Sequence, residues 1–174
     1  YMSIQGGDWN LACSAIHFID LFSFFTGNTD IEIDTSLLDI EIKESKRKGF
    51  CELSGKLSCY TKNGSTLSLL SVDNSTAPYI ITLMTESVFC IINEKRGKAD
   101  IALKENSWQW QHIDFKYYYQ SELTHSVIKE IFNTGNCGLT PYQESVSLHK
   151  PMIDGFVRHI ERVTKKEWDC CPVT

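Results

Sequence analysis

The apolar and polar positions of the chain fall into a helical stretch, a long β stretch and a second helical stretch. From Leu11 to Phe25 the sequence LACSAIHFIDLFSFF is apolar nearly all round, which predicts a buried helix. Gly27 follows at the place where a left-handed cap would close it. Cys13, His17, Asp20 and Phe24 recur at spacings of four, three and four, so they share one face of that helix. A histidine and an aspartate inside a buried element need a partner or a function.

The middle of the chain alternates with a period of two. Ile31 to Ile42 contains the short stretches IEID and LDIEI. Phe50 to Thr61 puts Leu53, Leu57 and Cys59 on one face and Glu52, Lys56 and Tyr60 on the other. Asn63-Gly64 is a strong hairpin signal, and TLSLLSV is its return strand. YIITLMTES, SVFCIIN and ADIALKE read as three further strands, with Gly97 in the last turn, and the aromatic-rich SWQWQHIDFKYYY as another. Successive hairpins make such a sheet mainly antiparallel. Ser121 to Asn133 then reads as a helix closed by Gly135. Thr140 opens another, with Pro141 at its first position and Gln143 completing a capping box. Its apolar stripe is Tyr142, Val146, His149, Ile153, Phe156, Ile160 and Val163, and Pro151 should kink it. The order of elements predicts an α+β fold: a large, mainly antiparallel sheet with helices packed on one face. The other face, carrying aromatics, should pair with a second copy.

Composition narrows the function classes. The chain has 174 residues, 42% of them hydrophobic and 22% charged, which suits one domain with a sizeable core. A net charge of -5 provides no basic field for nucleic acid. No apolar run approaches bilayer length, and the opening YMSIQGGDWN lacks the regions of a signal peptide. Seven scattered cysteines without paired CxxC spacing read as small hydrophobes in a reducing cytoplasm, and no metal site is expected from them. The sequons at Asn63 and Asn74 read as chance matches without a secretory signal.

Among chemistry-bearing residues, His17 leads, because imidazole passes protons near neutral pH and suits a general acid or base beside a hydroxyl. Asp20, one turn on, either orients that ring or joins it in a structural pair. Trp108, Trp110 and Tyr117 to Tyr119 suit sheet core or a dimer face better than a sugar-stacking surface. His125 is expected on a polar helix face near a cleft rim, and His149 in the core.

The segment GGDWNLACSAIHFIDLFSFFTG resembles the opening of the second domain of the Gfo/Idh/MocA oxidoreductases, through Gly6, Gly7, His17, Asp20 and Gly27. The closing stretch LTPYQESVSLHKPMIDGFVRHIERV is similar to that family's last helix. The resemblance implies a single C-terminal, dihydrodipicolinate-reductase-like domain over residues 1–174, with the N-terminal Rossmann domain outside this chain. It implies an NAD- or NADP-dependent oxidoreductase acting on a sugar, sugar-nucleotide or cyclitol hydroxyl. His17 and Asp20 would be catalytic, Cys13, Asn10 and His125 would contact substrate, and the sheet face would form an oligomer. No glycine spacing gives a G-x-G-x-x-G fingerprint, so this chain alone is expected to bind neither dinucleotide. One position departs from the pattern: Cys13 stands where the family has an acidic residue. A non-catalytic interaction domain of the same ancestry, or a carbohydrate-binding module, are the alternatives.

Overall fold

The computed structural model describes residues 1–173. Its centre is an eight-stranded sheet in the order β10-β9-β8-β7-β1-β6-β5-β2. These strands are β1 (Met2–Gly6), β2 (Ile31–Leu38), β5 (Gly55–Thr61), β6 (Thr66–Ser71), β7 (Ile80–Met84), β8 (Val88–Asn93), β9 (Lys98–Leu103) and β10 (Trp110–Asp114). The short strands β3 (Lys43–Glu44) and β4 (Cys51–Glu52) form a separate ribbon. The helices are α1 (Leu11–Thr26), α2 (Gln120–Thr134) and α3 (Tyr142–Thr164). Every pairing in the large sheet is antiparallel except β1 with β6. The α+β architecture is the one the hydrophobic pattern predicts.

One row of cross-strand neighbours runs Ile33, Cys59, Leu67, Met2, Leu83, Cys90 and Ile101. Cys59, Leu67 and Met2 are fully buried, while Leu83, Cys90 and Ile101 are only half-buried. Helix cover explains the gradient. α1 packs on β6 and α3 on β2, so the core lies under that half of the sheet. The opposite face carries the row Asp34, Ser58, Ser68, Ser3, Thr82, Ile91, Asp100 and His112, and the last two side chains pair. This face is polar at its centre and turns aromatic only toward β8 and β10, where Phe89 meets Trp110 at 5.2 Å.

Several expectations need correction. β1 was not legible, because MSIQG is short and does not alternate cleanly; it is nonetheless the central strand. α1 is one-sided rather than buried all round. Leu11, Ala12, Ala15, Phe18, Ile19 and Phe22 face the core, while Cys13, His17 and Phe24 are exposed. Glu52 is buried, not on the wet face with Tyr60. The alternation breaks at Leu53-Ser54, between β4 and β5, which frees Glu52 to turn inward. α3 begins at Tyr142 without a side-chain cap, since the Thr140 hydroxyl is committed elsewhere, and it continues through Pro151 as one helix. Its core face is Leu148, Met152, Gly155, Phe156, His159 and Ile160; Tyr142 and Val146 point to solvent. His159, not His149, is the core histidine. Its Nε2–H donates to the Asp39 carbonyl at 3.0 Å and its Nδ1 accepts from Arg162 at 2.9 Å. Burial, above all, holds its pKa below the ordinary value, so it is neutral. Trp108, Trp110 and the three tyrosines are all at least 44% exposed, so they are not core of this chain. α2 has no buried residue and packs little on the rest.

The cysteines are unpaired in the structure. Cys59 is fully buried and its thiol is pushed up to about 12 by burial, which makes it an inert hydrophobe. No helix among the described residues is long and apolar enough to cross a membrane.

Candidate functional site

The Gly6-Gly7 pair builds one wall of a cleft. A Cβ on Gly6 would lie 2.5 Å from the Tyr79 Cα, and one on Gly7 would lie 2.3 Å from the Ser75 carbonyl oxygen. Only hydrogen side chains allow the two segments to meet. They are then tied by Gly7 N–H to the Ala77 carbonyl at 2.9 Å and Asp8 N–H to the Ser75 carbonyl at 2.8 Å. We expect Gly7→Ala to destabilise the fold by about 1–3 kcal/mol through overpacking against backbone. Chemical denaturation checks this; an unchanged midpoint would mean that the loop yields freely.

With Tyr79 held there, three rings meet. Trp9 lies 5.3 Å from Phe18 and 6.3 Å from Tyr79, and Phe18 lies 5.5 Å from Tyr79, all edge to face. The Trp9 indole N–H donates to the Leu70 carbonyl at 2.9 Å, which fixes the ring. These rings help line a cleft of about 520 Å³, with His17, Asp20 and Phe24 from α1 and with Glu94, Tyr117, Gly138 and Thr140 from loops. Such a mixture of aromatic walls and a few polar groups is typical of small-molecule sites.

The polar groups are held by hydroxyls. Thr140 Oγ1 donates to Asp20 Oδ1 at 2.7 Å, joining α1 to the loop before α3. Tyr79 donates to Glu94 Oε2 at 2.7 Å. Burial, then the Glu94 carboxylate, push the Tyr79 phenol above its ordinary value, so it remains a donor. His17 is exposed on the cleft wall. Asp20 is therefore oriented by Thr140 in this structure.

The sequence-predicted residues divide. His17 and Asp20 share the cleft. Asn10 takes a left-handed conformation just before α1, Cys13 is exposed one turn before His17, and His125 is exposed on α2; none of the three lines the cleft. Sequence reasoning missed Trp9, Tyr79, Glu94 and Thr140. The Gly-Gly pair was the available signal for Tyr79, since it marks close backbone approach without naming the partner. Among the described residues no group of three or more His, Cys, Asp or Glu side chains is assembled to hold a metal.

A second feature anchors the site. Glu52 Oε1 accepts the backbone N–H of Ala12, in the first turn of α1, and that of Leu53 at 3.0 Å. A carboxylate from β4 thus occupies the N-terminus of the helix that presents His17. Desolvation raises the Glu52 pKa, while N–H donors from Leu53, Ala12 and Cys13 oppose the rise.

No protein-family model matches the chain, and no curated protein matches it by sequence. Solved structures do match. UDP-N-acetylglucosamine 3-dehydrogenase GnnA of Acidithiobacillus ferrooxidans superposes with a TM-score of 0.67 at 8% identity, over 94% of this chain and 54% of that one. The 3-ketoreductase KijD10 of Actinomadura kijaniata, solved with TDP-benzene and NADP, gives 0.56 at 9% identity, over 96% and 52%. An oxidoreductase of Bacillus cereus gives 0.57 at 12% identity, over 89% and 56%. This chain spans about half the length of each. The fold of this chain is that of one part of these larger oxidoreductases.

Proposed function

We propose that this chain is the C-terminal, substrate-binding half of an NAD- or NADP-dependent oxidoreductase that acts on the hydroxyl of a sugar-like molecule. The observation that carries the reading is the cleft where His17 and Asp20 stand beside the Trp9, Phe18 and Tyr79 rings, on a fold shared with oxidoreductases. Oxidation of a carbinol requires its hydroxyl proton to leave. His17, exposed on the cleft wall, takes that proton, and Asp20, held by Thr140, offers an acceptor that orients the substrate. The rings exclude water and offer faces for the apolar side of the substrate. The same reading gives the open sheet face to self-association.

The residues of this chain do not fit a dinucleotide. β1, the glycine pair and α1 follow one another as strand, turn and helix, but the helix N-terminus that would meet a pyrophosphate already holds the Glu52 carboxylate. The cofactor belongs, on this reading, to a domain outside the chain. Calorimetric titration of the chain with NAD and NADP is expected to show no micromolar binding. Micromolar binding of either would overturn the division into two domains. In the full-length protein, a sugar-like alcohol should drive nicotinamide reduction; a panel of such alcohols without turnover would defeat the enzymatic reading.

A further inference from the structure

The cleft has a charge character that restricts what enters it. Asp20 and Glu94 are the two carboxylates among its lining residues, and no lysine or arginine lines it. Each carboxylate is fixed by a hydroxyl through one oxygen: Asp20 through Oδ1 to Thr140, Glu94 through Oε2 to Tyr79. The second oxygen of each, Oδ2 and Oε1, makes no hydrogen bond to the described residues. Two pre-oriented acceptors therefore remain for a ligand, at no further cost of ordering. The nearest lysines stand outside the lining. Lys95 stands over the Tyr79 ring, 5.9 Å from its centroid, without lining the cleft. Lys116 stacks on Tyr118 and pairs with Glu122 at 2.7 Å.

We propose that the cleft takes a polyhydroxylated ligand without a phosphate, and takes it best when that ligand carries a protonated amine. The proposal rests on the substrate-cleft reading above and narrows it. Hydroxyl groups can donate to the free oxygens of Asp20 and Glu94, and an ammonium can donate to them with full charge. A phosphate ester would bring a further anion beside two carboxylates and meet no lysine or arginine in the cleft lining. The aromatic faces of Trp9, Phe18 and Tyr79 accept the C–H side of a sugar ring in either case.

The test is a nuclear magnetic resonance titration of the chain labelled at its indole nitrogens. The Trp9 indole is the reporter, and Trp108, Trp110 and Trp168, outside the cleft, are internal controls. The probes are D-glucosamine, D-glucose and D-glucose 6-phosphate. Saturable shifts of Trp9 are expected, with glucosamine tighter than glucose by about tenfold, as two partly exposed charge pairs allow. Glucose 6-phosphate should be the weakest. The amine advantage should shrink with added salt. It should vanish in the double variant Asp20→Asn, Glu94→Gln, which keeps an acceptor for Thr140 and for Tyr79 but turns the two free acceptors into amide donors, so both sugars should bind this variant more weakly and about equally. Glucose 6-phosphate binding as tightly as glucosamine, or glucosamine no tighter than glucose, would overturn the charge preference and leave the cleft intact as a sugar site. No shift of Trp9 with any probe would overturn both.

Discussion

If the chain works as proposed, His17→Asn in the full-length protein is expected to lower turnover about a hundredfold to ten-thousandfold, the ordinary worth of a general acid or base. The melting temperature should hardly move. His17 is exposed on α1, and the core contacts of that helix come from Leu11, Ala15, Phe18, Ile19 and Phe22 instead. Asparagine keeps a polar group of similar reach and cannot carry the proton near neutral pH. The two measurements separate the competing roles. A large fall in melting temperature would make the histidine structural. Unchanged turnover would remove it from the chemistry and favour a non-catalytic domain, to which Cys13 at the acidic position of the resemblance already lends weight. Because Thr140 holds Asp20, Asp20→Asn should act more mildly than His17→Asn. It alters the charge beside the imidazole and keeps an acceptor for the hydroxyl.

Glu52→Ala is the second large effect. It strips the acceptor from the Ala12 and Leu53 N–H groups, both at buried residues. An orphaned buried donor costs about 1–3 kcal/mol and a lost helix cap about 1 kcal/mol more. In a chain of this length such a loss should lower Tm by roughly 5–15 °C. Glu52→Gln keeps the accepting oxygen and should restore most of it. The pH dependence follows from the direction of the pKa. Desolvation raises the native pKa above the ordinary value of 4.5, so the native state binds more proton than the unfolded chain just above that pH. Stability from this group is full below pH 4.5 and declines as pH rises through the raised native value. Glu52→Gln should flatten that decline. Melting curves across mildly acidic to neutral pH read it directly, and a decline that persists in Glu52→Gln would assign it to another group.

The sequence disclosed what local chemistry controls. The start of α1 at Leu11 and its Gly27 cap, the Asn63-Gly64 turn and the Gly135 cap all follow from turn residues and periodicity, and each stands where expected. Spacing alone puts His17 and Asp20 on one helix face, and both line the cleft. What stayed hidden depends on contacts between distant segments. Glu52 looks like a surface residue until β4 separates from β5 and sets it against a helix forty residues earlier. Tyr79 and Glu94 join His17 only through the packing of Gly6 on the loop before β7. Thr140 was read as a helix cap, and it serves α1 instead.

The place of β1 has a consequence for how the molecule assembles. Its partners lie far along the chain, at Leu67–Ser71 on one side and Ile80–Leu83 on the other. β5 and β6 pair as a tight hairpin, as do β7 to β10 in succession, and β2 adds to β5 across the β3–β4 ribbon, so each ladder joins segments nearer in sequence than the partners of β1. β1 is the rivet between the two ladders. It must close long loops before either ladder rewards it, so it is expected to join late in folding, and early protection of the Met2–Gly6 amides in pulsed hydrogen exchange would contradict this. A chain arrested before that event carries two unsatisfied inner strands, β6 and β7, each a template for foreign strand pairing. Assembly of the sheet and protection from aggregation thus hinge on the same five residues.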